Sequence, residues 1–188
     1  MFVLTKQTRQ LIKQIRIPCA PGQPEIVDYE YERSGVADVF MIFEPLAGKR
    51  DTIVTRTRTA IDFANALKHV SDVMYPDAEI IAILNDNLNT HGPAAFYKAF
   101  PPEEARRLAN RFEWHYTPKH ASWRNMEEIE SGIMYRQALD KPLPDFESIK
   151  RNVQTWTKQR NEQGGKVNWQ FTTKDATIKL RCLYPTSL

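Results

Sequence analysis

Carboxylates and histidines gather in two places along the chain. In EIIAILNDNLNTHGPAA, Glu79 to Ala95, the apolar run Ile80–Leu84 gives way to Asn85, Asp86, Asn87 and, further on, His91. In NMEEIE, Asn125 to Glu130, three glutamates fall within four residues. A continuous Ile-rich run reads as a strand covered on both faces. Asp86 then stands where that strand leaves the core, at the carboxyl end where open α/β sheets bind ligands. A carboxylate there can hold a hard cation. Glu128 falls in the first turn of the helix that follows the next strand. If that strand returns the chain to the same end of the sheet, Asp86 and Glu128 can share a divalent ion, since Mg²⁺ is often held by one or two carboxylates plus substrate phosphate. Both residues also have ordinary uses. Asp86–Asn87 suits a turn, and acids in a helix first turn cap the backbone and suit the macrodipole. Spacing alone leaves both readings open.

Other chemistry is poorly supported. His91 can steer a phosphate or simply occupy a loop. His115 and His120, with Lys119, form either a phosphate-facing rim or a solvated loop. The four histidines and two distant cysteines, Cys19 and Cys182, lack zinc spacing. There is no Gly-rich phosphate loop and no nucleophilic Ser or Cys with a matched base.

These residues need elements to position them. Met1–Leu4 begins a strand, and IPCAPGQP, Ile17 to Pro24, reads as an extended loop. DYEYER alternates as a strand, Ser34–Gly35 marks a turn, Val39–Phe43 returns as a strand, and DTIVTRTRT follows with Arg56 and Arg58 on one face. This succession predicts an antiparallel meander. Helical spacing follows at Ala60, Phe63, Ala64, Leu67 and Val70, continuing to Met74 and ended by Pro76. Beyond the Ile80–Leu84 strand, GPAAFYKAF and PPEEARRLANR read as helices, each with Pro near its start, and FEWHY as a fifth strand. NMEEIESGIMYRQAL is predicted as a helix capped by Asn125, with Met126, Ile129 and Ile133 buried. PDFESIKRNVQTWTKQRNE is another, with Phe146, Ile149, Val153 and Trp156 in register, ended by Gly164–Gly165. VNWQF is extended, and a short helix runs from Thr173 to Leu183. The expectation is an α/β fold: a mixed sheet of a three-stranded antiparallel meander plus two further strands, with helices on both faces.

At 188 residues the chain suits one domain. A net charge of +3 is too mild to identify a nucleic-acid partner by itself. Two cysteines make no disulfide framework and fit a reducing cytosol. No apolar run approaches the ~20 residues of a membrane span, and MFVL is too short for a secretory signal.

Several segments together resemble the DDE transposases of bacterial insertion sequences related to mariner elements. They are DYEYERSGVADVFMIFEPLAG (Asp28 to Gly48), DNLNTH (Asp86 to His91), FPPEEARRL (Phe100 to Leu108), HYTPKHASWRNMEEIE (His115 to Glu130) and WQFTTKDATIKLRCLYP (Trp169 to Pro185). The likeness covers nearly the whole chain. It implies a ribonuclease H-like fold, with 1–140 as catalytic core and 141–188 as a C-terminal helical extension of the same domain. It implies a cytoplasmic enzyme that cleaves transposon ends and joins them to target DNA, using Mg²⁺ or Mn²⁺. Asp86 matches the family's second catalytic acid and Glu128 its third, so both become expected metal ligands. Arg56, Arg58, His91, Lys119 and Arg124 are the expected DNA contacts. Expected partners are DNA and a second copy of the chain or an intact transposase.

The chain departs from the family pattern at the first acid. The family's first strand ends in Asp, usually followed by Glu, a few residues before a Q-L segment. Counting back from RQLI, Arg9 to Ile12, puts Thr5 and Lys6 there. The resemblance also implies upstream helix-turn-helix segments, for which this sequence has no room, so an N-terminally truncated copy is expected. Ala121 stands for a usual glycine and Arg124 for a usual leucine. The expectation is an impaired transposase catalytic domain. The alternatives are a non-catalytic remnant that binds DNA or dimerises, and a ribonuclease H-like nuclease outside transposition.

Overall fold

The computed structural model describes residues 2–17, 26–85, 92–116 and 126–166, with positions 16, 17, 26–29 and 126–128 described by backbone alone. Strands β1 (Phe2–Ile17), β2 (Ile26–Glu44) and β3 (Lys49–Thr55) form an antiparallel meander. β4 (Ile81–Asn85) lies parallel to β1, and β5 (Phe112–Tyr116) lies parallel to β4. The sheet order is β3-β2-β1-β4-β5. The fold is therefore the expected ribonuclease H-like α/β arrangement, with β1 at its centre.

The meander differs from the sequence reading in its members. DYEYER and ADVFMIFEPL are one strand, not two, and the first member is β1. Ser34–Gly35 is not a turn. Leu11 pairs with Gly35 and Ile12 with Arg33, so Ser34 is the extra residue of a β-bulge. Gly35 takes φ 117°, which a side chain would resist. Beyond that bulge, β1 and β2 continue as a two-stranded ribbon past the rest of the sheet. The real turn is at Gly48, where φ is 69° and the amide donates to Glu44 O at 2.8 Å. A Cβ on Gly48 would also sit 3.2 Å from the Lys166 amide nitrogen, so glycine is required twice over.

Strand alternation gives the sheet two apolar faces. Phe2, Leu4, Phe40, Ile42, Ile81 and Ile83 meet one helical layer: α1 (Ala60–His69), α2 (Ala94–Ala99) and α3 (Pro102–Arg111). α1 passes into a π-helical turn, Val70–Met74, closed by the Tyr75 amide on Val70 O at 3.0 Å. Leu11, Ala37, Val39 and Met41 meet the other layer: α4 (Met126–Ala138) and α5 (Phe146–Glu162). Ile149, Val153 and Trp156 of α5 are buried as their spacing predicts, with Phe146 partly buried. Asp145 caps α5 by accepting from the Ser148 amide at 2.8 Å.

In α4 the predicted stripe holds only in part: Ile133 is partly buried against the core, the Met126 side chain lies outside the described residues, and Ile129 faces out. Ile129 is 51% exposed, whereas Glu130, Ser131 and Met134 are buried. The helix is turned so that polar residues face the sheet. Position 125 and the extended and helical segments expected after Lys166 lie outside the described residues, as does most of the proline-rich loop.

Candidate functional site

Thr5 sits near the start of β1, the central strand, beside Met41 of β2 on one side and just past the described end of β4 on the other. Phe2 pairs with Ile83 and Val3 with Leu84. Stepped along by this parallel register, Leu4 comes level with Asn85, the last described residue of β4. Thr5 then lies one step beyond the last described residue of β4. Asp86 and His91 lie outside the described residues, and so do Lys119, His120 and Arg124.

Contacts on one face of β1 orient α4. Gln7 Nε2 donates to Ser131 Oγ at 2.8 Å. Two residues on, Arg9 donates to the Tyr135 hydroxyl and to Lys141 O, and its guanidinium stacks 4.9 Å from the Tyr135 ring centre. Four helix residues rise about 6 Å and two strand residues about 7 Å, so the rungs keep step. α4 therefore runs in the same direction as β1. One rung back from Gln7–Ser131, the helix's first turn comes level with Thr5. Position 128 belongs to that turn by its backbone; its side chain lies outside the described residues. The backbone thus brings three chain segments together over the central strands: the Thr5 position, the described end of β4, and the start of α4.

Lys6, beside Thr5, belongs by alternation to the opposite face, level with Phe40. A buried carboxylate, Asp38, accepts from Thr8 Oγ1, but it shares the Lys6 face and cannot stand in for an acid at Thr5. Among the described residues no three His, Cys, Asp or Glu side chains gather to hold an ion. Of the residues proposed from sequence to line this place, Thr5 is the one whose side chain is described, and its hydroxyl is a neutral, weak ligand for a hard divalent cation. Asn85 is 1% exposed, and neither polar atom of its amide has a hydrogen-bond partner among the described residues.

The two arginines named from sequence do not share a strand face. β3 ends at Thr55, and both lie in the connection to α1. Arg56 stacks over Phe146 of α5, 4.5 Å from its ring centre, and Arg58 donates to Thr8 Oγ1 at 3.3 Å. Both are exposed. His115 pairs with exposed Glu113 at 2.8 Å.

Sequence reasoning missed Glu130. Its Oε1 accepts from Arg50 Nε at 2.6 Å and Arg160 Nε at 2.9 Å. Burial pushes its carboxyl up, and the Arg160 and Arg50 hydrogen bonds outweigh that, holding it below the usual range. Nothing in NMEEIE distinguishes Glu130 from its acidic neighbours, and the helical periodicity favoured Ile129. Gln7 and Arg9 were missed too, because docking on α4 depends on a partner more than a hundred residues away.

Residues 5–150 match a family described as DDE superfamily endonuclease. Solved structures that resemble the chain include the simian T-cell lymphotropic virus intasome in complex with PP2A regulatory subunit B56 gamma. That match has 11% identity and a TM-score of 0.38, over 82% of this chain and 47% of the other. They also include the Mos1 strand transfer complex, at 13% identity and a TM-score of 0.38, over 89% of this chain and 55% of the other. The chain spans about half the length of each of these two. No curated protein matches it.

Proposed function

Because the chain belongs to the DDE superfamily endonucleases, we propose that it is the catalytic domain of an insertion-sequence transposase, impaired in DNA cleavage by the loss of its first carboxylate. Proteins of this superfamily generally depend on divalent metal ions. In this reading Asp86 and Glu128 hold Mg²⁺ or Mn²⁺ in a single domain, with 1–140 as core and 141–188 as its helical extension. The cation would supply charge stabilisation at the scissile phosphate and activation of the attacking group. Asp86 and Glu128 would set its place, and DNA would be held electrostatically by exposed cations, among them Arg56, Arg58, His91, Lys119 and Arg124, with a second copy or an intact transposase as protein partner.

Thr5 carries the reading. It lies at the centre of the sheet, level with both the exit of β4 and the first turn of α4. A third carboxylate there would complete an acidic triad. Threonine supplies one neutral hydroxyl instead, which leaves a bound cation with one charged ligand fewer. The same substitution favours the second reading, a remnant that binds DNA without cutting it.

Nicking of supercoiled plasmid with Mn²⁺ tests the proposal. The natural chain should cut near background. Thr5→Asp should raise the rate by at least the ~10-fold that even outer-shell partners of metal sites commonly carry, and adding Asp86→Ala should abolish the gain. Robust nicking by the natural chain, lost in Asp86→Ala, overturns the impairment. A folded Thr5→Asp chain that binds DNA yet never nicks it supports the remnant. Cutting of RNA–DNA hybrids but not duplex DNA supports a ribonuclease H-like nuclease.

A further inference from the structure

The exposed Ile129 beside the buried Glu130 calls for a physical reason. Turning α4 to bury isoleucine would have removed apolar surface from water at no electrostatic cost. Instead the helix buries a carboxylate, and a buried ion pair gives little net stability over apolar packing of similar volume. Such a pair is better suited to specifying one arrangement.

We propose that Glu130 is a positioning residue: through Arg50 and Arg160 it fixes the rotation and depth of the first turn of α4, and so holds position 128 for the divalent cation. The inference rests on the site proposed above. Arg50 is the hub. Its side chain is fully buried, and Nε donates to Glu130. Nη1 donates to Gly48 O at 2.8 Å and Nη2 to Gly165 O at 2.6 Å. Its guanidinium lies 4.5 Å from the centre of the Phe43 ring, and Phe43 pairs with Val3 of β1. Asn161 of α5 clamps the Arg50 backbone, accepting from its amide at 2.9 Å and donating to its carbonyl at 2.8 Å. Arg160, one residue earlier on α5, brings the second guanidinium to Glu130. One carboxylate thus joins the β2–β3 turn, the end of α5 and the start of α4.

The neighbouring residue supplies the second constraint. Ser131 is tied to Gln7 of β1, whereas Glu130 is tied to Arg50 of β3. Successive helix residues point about 100° apart. Bonds from two consecutive residues to two different strands fix rotation about the helix axis, which a single bond would not. Position 128 lies one helical turn before Ser131 and inherits that angle. Metal sites are sensitive to such support, since outer partners commonly carry 10–100-fold in affinity.

The test measures Mn²⁺ affinity by electron paramagnetic resonance of the free ion, on the full chain carrying Thr5→Asp. Glu130→Gln and, separately, Arg160→Met are compared with Ile149→Val, a core change on α5 that should destabilise without touching the Arg50–Glu130–Arg160 triad. All are read at a temperature where circular dichroism shows each variant folded. Glu130→Gln should weaken Mn²⁺ binding about 10-fold, and Arg160→Met by less, while Ile149→Val stays within about twofold of the parent. Glu130→Gln leaves the buried Arg50 and the partly exposed Arg160 without their counter-ion and can fail to fold. Arg160→Met keeps the Arg50–Glu130 pair and then decides. Parent-like affinity in the triad variants, or an equal loss in Ile149→Val, overturns the proposal. If Asp86→Ala binds Mn²⁺ as the parent does, the site reading falls, and this proposal with it.

Discussion

In the proposed site the side chain at position 5 separates a complete acidic triad from an incomplete one. An aspartate would add a full charge and two ligand oxygens, whereas threonine adds a neutral hydroxyl and a methyl. Among the described residues, Lys6 and Asp38 do not make good the loss, since both belong to the other face of the sheet by strand alternation. Asn85 is a second anomaly of residue type. It shares the face of Ile81 and Ile83, is 1% exposed, and its amide has no hydrogen-bond partner among the described residues. A buried polar group without a partner costs about 1–3 kcal/mol. Asn85→Leu, nearly the same shape, should therefore stabilise the chain by about that amount in urea denaturation. A loss of stability instead would mean that the amide has a partner in the native protein.

Elements with one clean apolar pattern were legible, and elements set by distant partners were not. The run ending at Leu84 gave β4, and the Phe146, Ile149, Val153 and Trp156 spacing gave α5. The meander was legible in kind but not in membership. Ser34–Gly35 has turn chemistry, yet the long pairing of β1 with β2 absorbs it as a bulge. α4 was legible as a helix, but its inward face was chosen by Arg50, Arg160 and Gln7, none of which local periodicity can report. The proposed acids rest on resemblance alone, because a turn and a helix cap account equally well for their local sequence. α1 shows what local signals do settle. Thr59 Oγ1 accepts from the Asp62 amide at 3.2 Å, and Asp62 accepts from the Thr59 amide at 2.8 Å, a reciprocal capping box. Thr59→Ala should cost about 1 kcal/mol of unfolding free energy, and an unchanged urea midpoint would show that the cap is dispensable.

Across the whole molecule, charge ties the α1–α3 layer together while the sheet's other face carries the proposed chemistry. Lys68 and Arg107 converge on Asp72 and Glu104, joining α1 and its π-helical turn to α3. Hydrogen bonds from Arg107 and Lys68 hold the Glu104 carboxyl down at about 2. At Asp72 burial pushes the pKa up, but bonds from Arg107, Lys68 and Ser71 outweigh it and hold it below the usual range. Both folded values lie below the unfolded ones, so this stabilisation is present above the ordinary carboxylate range of roughly 4 and is lost as pH falls toward about 2. The melting temperature should drop across that window, and Arg107→Ala should lower it at neutral pH and flatten the drop. An equally steep drop in the variant would assign acid sensitivity elsewhere. The opposite face carries the central claim, that Asp86 and Glu128 meet beside Thr5 to share a cation. Its most direct test is the anomalous difference density of crystals of the chain soaked in Mn²⁺. The account predicts one peak bridging the carboxylates of Asp86 and Glu128, with Thr5 facing it. Those two carboxylates at separate places with no peak between them would contradict it.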